Sequence, residues 1–193
     1  MNEDRKNICI YGASSSRINE SYRSDAFRIG ELIALSGYGL ICGGGRAGLM
    51  AAAIEGANSQ GGHTIGVLPE FMIEKSWEHP ELSEIIITPD MHTRKRTMAE
   101  KSMAVIALPG GCGTMEELLE IITWRQLGLY NGNIVILNTD SYYEPLRLML
   151  ERSVERGFMH PDNQKLWSIA DCPEKAIEQS LNPNQYNRFT DKI

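Results

Sequence analysis

The sequence predicts an α/β fold, a mostly parallel sheet with helices on both faces. Three observations carry that reading. Short β-branched or apolar runs alternate with longer stretches of helical spacing. The strand runs are nearly continuous in apolar character, as in strands buried on both sides. Three of them end in small-residue loops, "GASSSR", "CGGGRAG" and "LPGGCGT", the punctuation of strand–loop–helix units. No repeat, low-complexity segment or linker divides the 193 residues, so one Rossmann-like domain over 1–193 is expected.

Each element has its own local warrant. "NICIYGA" reads as a strand running into a Gly/Ser loop, and about Glu20 to Ser36 as a helix with Phe27, Leu32 and Leu35 among its apolar positions. "YGLICGGG" is a second strand, and "GLMAAAIEGANSQGG" an alanine-rich helix stopped by Gly61 and Gly62. "HTIGVLP" and "SEIIITP" are further strands. "MHTRKRTMAEKS" is a helix with Asp90 as its candidate N-cap. "MAVIALPGG" is a strand that feeds the helix of "GTMEELLEIITW", "NIVILN" is another, and "YYEPLRLMLERSVERG" another helix. From Met159 to Ile193 no motif stands out. His160 and Trp167 receive no role, and the tail from about residue 181 is a candidate for disorder.

Composition narrows the function classes. Hydrophobic residues are 42% and charged residues 23%, ordinary globular usage. A net charge of -6 argues against a nucleic-acid surface as the main business. Cys9, Cys42, Cys112 and Cys172 are scattered without a CxxC, which fits a reducing cytoplasm and neither a disulfide framework nor a zinc site. The polar "MNEDRKN" start and the lack of a long apolar run predict neither a signal peptide nor a membrane span.

Parallel sheets bind ligands beyond the C-terminal ends of their strands, where the three small-residue loops belong. "GGGRAG" (Gly43 to Gly48) matches GxGxxG, but on the second strand–helix turn, and Glu70 is a poor ribose-binding acid. It reads as a wall of some other nucleotide site, or as a tight turn only. "LPGGCGT" has three glycines in four positions, and the Thr114 hydroxyl could join their N–H groups around an anion. It lacks the lysine of a Walker A loop. The bland alternative makes Thr114 an N-cap, with Glu116 and Glu117 in the first turn stabilising the positive helix end.

Met115, Leu118, Leu119 and Ile122 follow helical spacing and are expected to form the buried face. Glu117 then falls off that stripe and can reach back past the glycine loop, while Glu116 and Glu120 are expected in solvent. "MHTRKRTM" carries His92, Arg94, Lys95 and Arg96, either a solvated helix face or a phosphate or base clamp led by the planar fork of Arg94. His92 reads as structural. Cys112 lacks an evident His partner and is set aside as a nucleophile.

Taken together, "GGGRAGLM", "GVLP", "MHTRKRTM" and "LPGGCGTMEELLEIITWRQLG" resemble the Lonely Guy (LOG) family of cytokinin-activating phosphoribohydrolases, from roughly Ile8 to Phe158. The resemblance implies hydrolysis of the N-glycosidic bond of adenosine 5′-monophosphate or an N6-modified relative, giving free base and ribose 5-phosphate. It also implies a homodimer with sites near the subunit interface. By motif, Arg94 and Glu117 match the catalytic pair, and Lys95, Gly110, Gly111, Gly113 and Thr114 the nucleotide-binding set. Glu116, Gly44 and Ser14 join them as candidate substrate contacts. Departures are Thr93, where an acid or glutamine is common, and "GASSSR", where "GSS" followed by glycine is usual.

No cofactor and no metal are expected, only a nucleoside monophosphate as partner, with no nucleic acid or membrane. Relatives are often labelled lysine decarboxylase, which would need pyridoxal phosphate on a lysine and a large cofactor domain. The chain is short for that. The rival reading is a non-catalytic carrier of a phosphorylated nucleotide or molybdenum-type cofactor, which would need the glycine loops but not Arg94 with Glu117. A DNA-binding protein of the DprA family would need a broader basic face than this acidic chain offers.

Overall fold

A computed structural model describes residues 6–182. Its sheet has seven strands, all parallel: β1 (Asn7–Tyr11), β2 (Gly39–Cys42), β3 (Thr64–Pro69), β4 (Glu84–Thr88), β5 (Ala104–Ala107), β6 (Asn133–Leu137) and β7 (Ser168–Ala170). Their spatial order is β4-β3-β2-β1-β5-β6-β7. The chain builds outward from β1 to β4, then returns to place β5 on the free side of β1. Strand order therefore reverses beside β1, and a crevice opens beyond the ends of β2, β1 and β5.

The period-2 alternation of the strands divides the core in two. Ile8, Ile10, Leu40 and Ile106 face one side, under α1 (Glu20–Leu35), α2 (Gly48–Ser59) and α7 (Pro173–Leu181). Cys9, Tyr11, Ile41 and Val105 face the other, under α4 (Met91–Glu100) and α5 (Cys112–Gln126). Cys9 and Cys42 are fully buried and behave as small hydrophobes. The remaining helices are short α3 (Glu70–Glu74) after β3 and α6 (Glu144–Glu155) after β6.

Two features were not anticipated. α3 follows β3 directly, and the motif-free end of the chain supplies both an edge strand, β7, and a helix, α7, whose Ala176 and Ile177 enter the core. Three residues of strand are too few for a periodicity signal. The tail expectation from about residue 181 meets Leu181 as the last residue of α7, and beyond Asn182 it lies outside the described residues. Among the described residues no helix is long and apolar enough to cross a membrane.

The buried face of α1 is Ala26, Ile29, Gly30 and Ile33, whereas Phe27 and Leu35 are exposed. Small residues win the interior position because α1 and α2 cross at backbone contact. A Cβ on Gly30 would lie 2.0 Å from the Ala53 carbonyl oxygen, and one on Gly56 would lie 2.0 Å from that of Phe27. Helix propensity alone favours Gly30→Ala by about 1 kcal/mol. Overpacking opposes it and wins, so Gly30→Ala is expected to lose about 2–3 kcal/mol, read as a lowered urea midpoint. A stabilised variant would disprove the backbone contact.

Candidate active site

The first candidate side chain is a cation carried into the protein. α4 starts cleanly because Asp90 Oδ1 accepts the Thr93 N–H at 2.7 Å, a side-chain N-cap as the sequence predicts. From there Arg94 and Lys95 point inward and are only 6% and 7% exposed, while His92 and Arg96 stay in solvent. The solvated-face alternative therefore fails for the first two.

Arg94 Nε donates to the Val67 carbonyl at 2.9 Å and Nη2 to the Gly43 carbonyl at 3.3 Å. A Cβ on Gly43 would sit 1.9 Å from Nη2, so the first glycine of "GGG" makes room for the guanidinium. Gly44 is in the left-handed region (φ 67°) and buried against Leu68 and Gly66, with its carbonyl accepting the His79 N–H.

The free edge of the guanidinium faces an acid. Arg94 Nη1 lies 3.9 Å from Glu117 Oε1, and the Glu117 side chain is only 13% exposed. Sequence spacing placed Glu117 off the buried stripe of α5, and it is not among the buried residues; Leu118 and Ile122 are buried as expected, but the stripe is rotated away from Met115 and Leu119. The buried residues are Thr114, Leu118, Ile121, Ile122 and Arg125, while Leu119 is exposed and Met115 half-buried. Polar side chains hold two of those inward places. Arg125 Nη1 donates to the Leu166 carbonyl at 2.9 Å, and Thr114 packs against Gly110. Apolar counting alone cannot find that rotation.

α5 begins at Cys112 with Gly111 as its N-cap residue, so Thr114 is not the cap and Glu116 and Glu117 lie in the second turn. The helix dipole is felt within the first turn, so the bland account of the acids loses its basis. Lys95 explains two of them: its Nζ lies 2.5 Å from Glu116 Oε1 and 3.1 Å from Glu120 Oε1. Glu120 is thereby half-buried instead of solvated, although Glu116 keeps most of its exposure.

The glycine turn divides its labour. A Cβ on Gly110 would lie 2.1 Å from Thr114 Oγ1, so Gly110 lets the buried Thr114 side chain close the turn. Gly111, Cys112 and Gly113 are exposed, and Gly111 and Gly113 face open space. No side chain caps α5, which leaves its first N–H groups available to an anion. Ser14 is exposed in the β1 loop, and that loop is stitched to both neighbours. Ala13 N–H donates to the Pro109 carbonyl at 3.1 Å, and Leu49 N–H to the Ala13 carbonyl at 2.8 Å. The three small-residue loops thus meet at the crevice.

Electrostatics sets the acid apart from its neighbours. Burial raises the Glu117 carboxyl to about 7, with Glu116 and Glu120 adding repulsion while Arg94 and Lys95 oppose the rise. Burial works against the Lys95 charge, yet Glu116 and Glu120 hold the ammonium above its ordinary value. An amine held so does not fit a Schiff-base lysine, which must shed its proton to attack a cofactor carbonyl.

Sequence reasoning missed Tyr142 and Tyr143, reading them as the start of a helix. α6 begins at Glu144, and Tyr142 Oη donates to the Gly110 carbonyl at 2.6 Å. Pro145 was the available signal, since proline favours the first helical turn and so places both tyrosines before it.

A family model described as "Possible lysine decarboxylase" matches residues 50–180. The curated "Probable cytokinin riboside 5'-monophosphate phosphoribohydrolase LOGL2" of Oryza sativa subsp. japonica is 36% identical over 174 residues, 90% of this chain and 71% of that protein. Cytokinin riboside 5'-monophosphate phosphoribohydrolase LOG1 of Arabidopsis thaliana is 39% identical over 174 residues, 90% of this chain and 82% of that protein. Among solved structures, the molybdenum cofactor binding protein of Rippkaea orientalis aligns with a TM-score of 0.69 at 26% identity, covering 91% of this chain and 95% of that one.

The raised carboxyl has a consequence for stability. Between its ordinary 4.5 and about 7, folded Glu117 keeps a proton that the unfolded chain has released. Rising pH through that window therefore costs stability, at most about 3 kcal/mol. Denaturant titrations at pH 4.5 to 8 should show Glu117→Gln losing less stability than wild type across the window. Parallel curves would remove the buried acid.

Proposed function

The chain belongs to the LOG family of phosphoribohydrolases, and we propose that it hydrolyses the N-glycosidic bond of adenosine 5′-monophosphate or an N6-modified relative. Water adds to the ribose C1′ as the base leaves with its electron pair and takes up a proton, giving free base and ribose 5-phosphate. The observation that carries this reading is the buried Arg94–Glu117 pair beside the open first turn of α5.

On this reading each group takes one part of the nucleotide. Phosphate rests on the N–H groups of Gly111, Cys112 and Gly113, where the helix dipole favours an anion. Binding there holds the ribose in place, so that affinity remote from the bond supplies orientation at the bond. Cleavage builds positive charge on the sugar as the base departs. The Glu117 carboxylate stabilises that charge and can take a proton from the attacking water. Its value of about 7 sits near working pH, where a general base is most effective. Arg94, fixed by the Val67 and Gly43 carbonyls, supports the ionised form of Glu117 and orients the nucleotide toward it. Lys95, tied to Glu116 and Glu120, keeps α4 and α5 in register instead of lying open to the phosphate.

A homodimer completes the reading. Met115, Leu119 and Trp124 on α5 line an open concavity of 640 Å³ that starts at Cys112, and Leu127 and Leu129 beyond it are exposed. A second copy would cover that apolar face and border the site. Residence in the cytoplasm fits the exposed Cys112 and the unpaired, scattered thiols. The -6 charge favours a small anion held locally over a nucleic-acid partner.

The test is product analysis with AMP and with isopentenyladenosine monophosphate, each with and without a chelator. Base and ribose 5-phosphate should form in equal amounts whether or not the chelator is present. Glu117→Gln and Arg94→Ala should each lose about 100-fold or more in kcat. The similarity to the Rippkaea orientalis protein supports a second reading, a carrier, which requires nucleotide bound and left intact. The wild-type kcat/KM should rise with pH to a plateau above about 7, a limb that Glu117→Gln removes. Sedimentation should give a dimer, converted to monomer by Leu119→Glu; an unchanged assembly would take α5 out of the interface.

A further inference from the structure

The turn below the proposed phosphate position is gripped from behind, carbonyl by carbonyl. The Leu108 carbonyl accepts from Tyr143 Oη at 2.7 Å, the Pro109 carbonyl from Ala13 N–H at 3.1 Å, and the Gly110 carbonyl from Tyr142 Oη at 2.6 Å. The Gly111 carbonyl then takes the first helical bond, from Met115 N–H at 3.0 Å. Four successive acceptors are satisfied on the protein side. A trans peptide points its N–H opposite to its C=O, so fixing the Gly110 oxygen also fixes the direction of the Gly111 N–H. That N–H has no acceptor among the described residues, and Gly111 faces open space.

The tyrosines are themselves held. They close the turn between β6 and α6, in which Asp140 and Ser141 adopt left-handed conformations (φ 52° and 59°). Such backbone costs of order 1–3 kcal/mol per residue and persists where its surroundings fix it. Here Asn138 Oδ1 accepts the Tyr143 N–H at 2.6 Å, Ser21 Oγ donates to Asp140 Oδ2 at 2.8 Å, and Thr139 Oγ1 donates to Asp25 Oδ2 at 2.5 Å. The Tyr142 ring sits edge-on to both Tyr22 and Tyr143, with centroids 6.1 and 5.1 Å away. A strained, multiply anchored turn thus delivers one hydroxyl to one glycine carbonyl. Tyr142 belongs to neither buried core cluster and is 40% exposed, so that bond is not a by-product of core packing.

We propose that Tyr142 is a positioning residue for the 5′-phosphate: its hydroxyl locks the Gly110–Gly111 peptide so that the Gly111 N–H points at the anion. The assignment rests on the glycine turn being the phosphate site of the reading above. Tyr142→Phe keeps the ring packing and frees the peptide. Tyr143→Phe releases the Leu108 carbonyl, which belongs to a peptide farther from the open N–H groups.

Calorimetric titration with ribose 5-phosphate tests the assignment. Tyr142→Phe should bind it about five- to tenfold more weakly than wild type, with a melting temperature lowered by a few degrees, while Tyr143→Phe should lower the melting temperature at least as much and change the affinity less. An affinity within twofold of wild type in Tyr142→Phe overturns the proposal, as does wild type that does not bind ribose 5-phosphate. A second measurement needs no variant: the Gly111 amide resonance of wild type should shift on titration with inorganic phosphate, and a stationary resonance overturns the proposal. Wild type that binds ribose 5-phosphate through this turn yet leaves AMP intact removes the hydrolase reading alone. Wild type that cleaves AMP while Tyr142→Phe binds normally removes the clasp alone.

Discussion

The burial of one guanidinium organises this molecule. Taking a charge out of water is affordable only when hydrogen bonds and a counter-charge replace its hydration. Arg94 meets that demand with two backbone carbonyls, Gly43 just after β2 and Val67 within β3, and with the Glu117 carboxylate opposite. Each partner is then constrained in turn. A side chain at Gly43 would displace the guanidinium, the Gly43 and Val67 carbonyls must hold their relative height, and α5 must present Glu117 to the same point. A site assembled this way is rigid before any ligand arrives, which is the condition for using ligand binding to orient a bond.

Glu117 is the complement of that constraint. A carboxylate fully neutralised by a bidentate arginine would be too weak a base, and one buried alone would stay protonated. The 3.9 Å approach along a single Nη, with desolvation working against it, leaves the group near the middle of the physiological range. The neighbouring Lys95–Glu116–Glu120 cluster adjusts the same balance, since its two acids push Glu117 up and its lysine pulls it down. On the proposed reading, phosphate and carboxylate coexist because they address different parts of one ligand: the turn offers N–H groups at Gly111 to Gly113, while Glu117 projects from the following turn of helix.

Much of this was legible in the chain itself. Strand runs, the small-residue loops after them, the Asp90 cap and the pairing of "HTRK" with "PGGCGTMEE" are local patterns, and local patterns survive folding. What escaped was relational. The rotation of α5 follows from Thr114 and Arg125 taking inward places, and their worth depends on Gly110 and on the Leu166 carbonyl, one of them 41 residues away. The buried face of α1 follows from Gly30 meeting the Ala53 backbone and Gly56 the Phe27 backbone across a crossing, a fact about two helices at once. Tyr142 is less legible still, since nothing near it in sequence hints at the Gly110 carbonyl. Hydrophobic periodicity reports what a side chain prefers on average, and these residues act through single hydrogen bonds and close contacts.

The name that the family model carries can be weighed on the same physical grounds. Decarboxylation through a pyridoxal Schiff base requires a lysine whose amine becomes neutral in a site open to the cofactor. Lys95 follows Arg94 directly on α4, and it is buried between two carboxylates that favour its charge. Freeing it would break both ion pairs and strand Glu116 and Glu120 beside Glu117, raising the acid further. The arrangement thus stabilises a charged lysine as a strut between α4 and α5 and leaves the facing edge to Arg94 and Glu117, the proposed catalytic pair. A hydrolase that stabilises developing positive charge on a ribose needs that edge, and a Schiff-base enzyme would need the opposite.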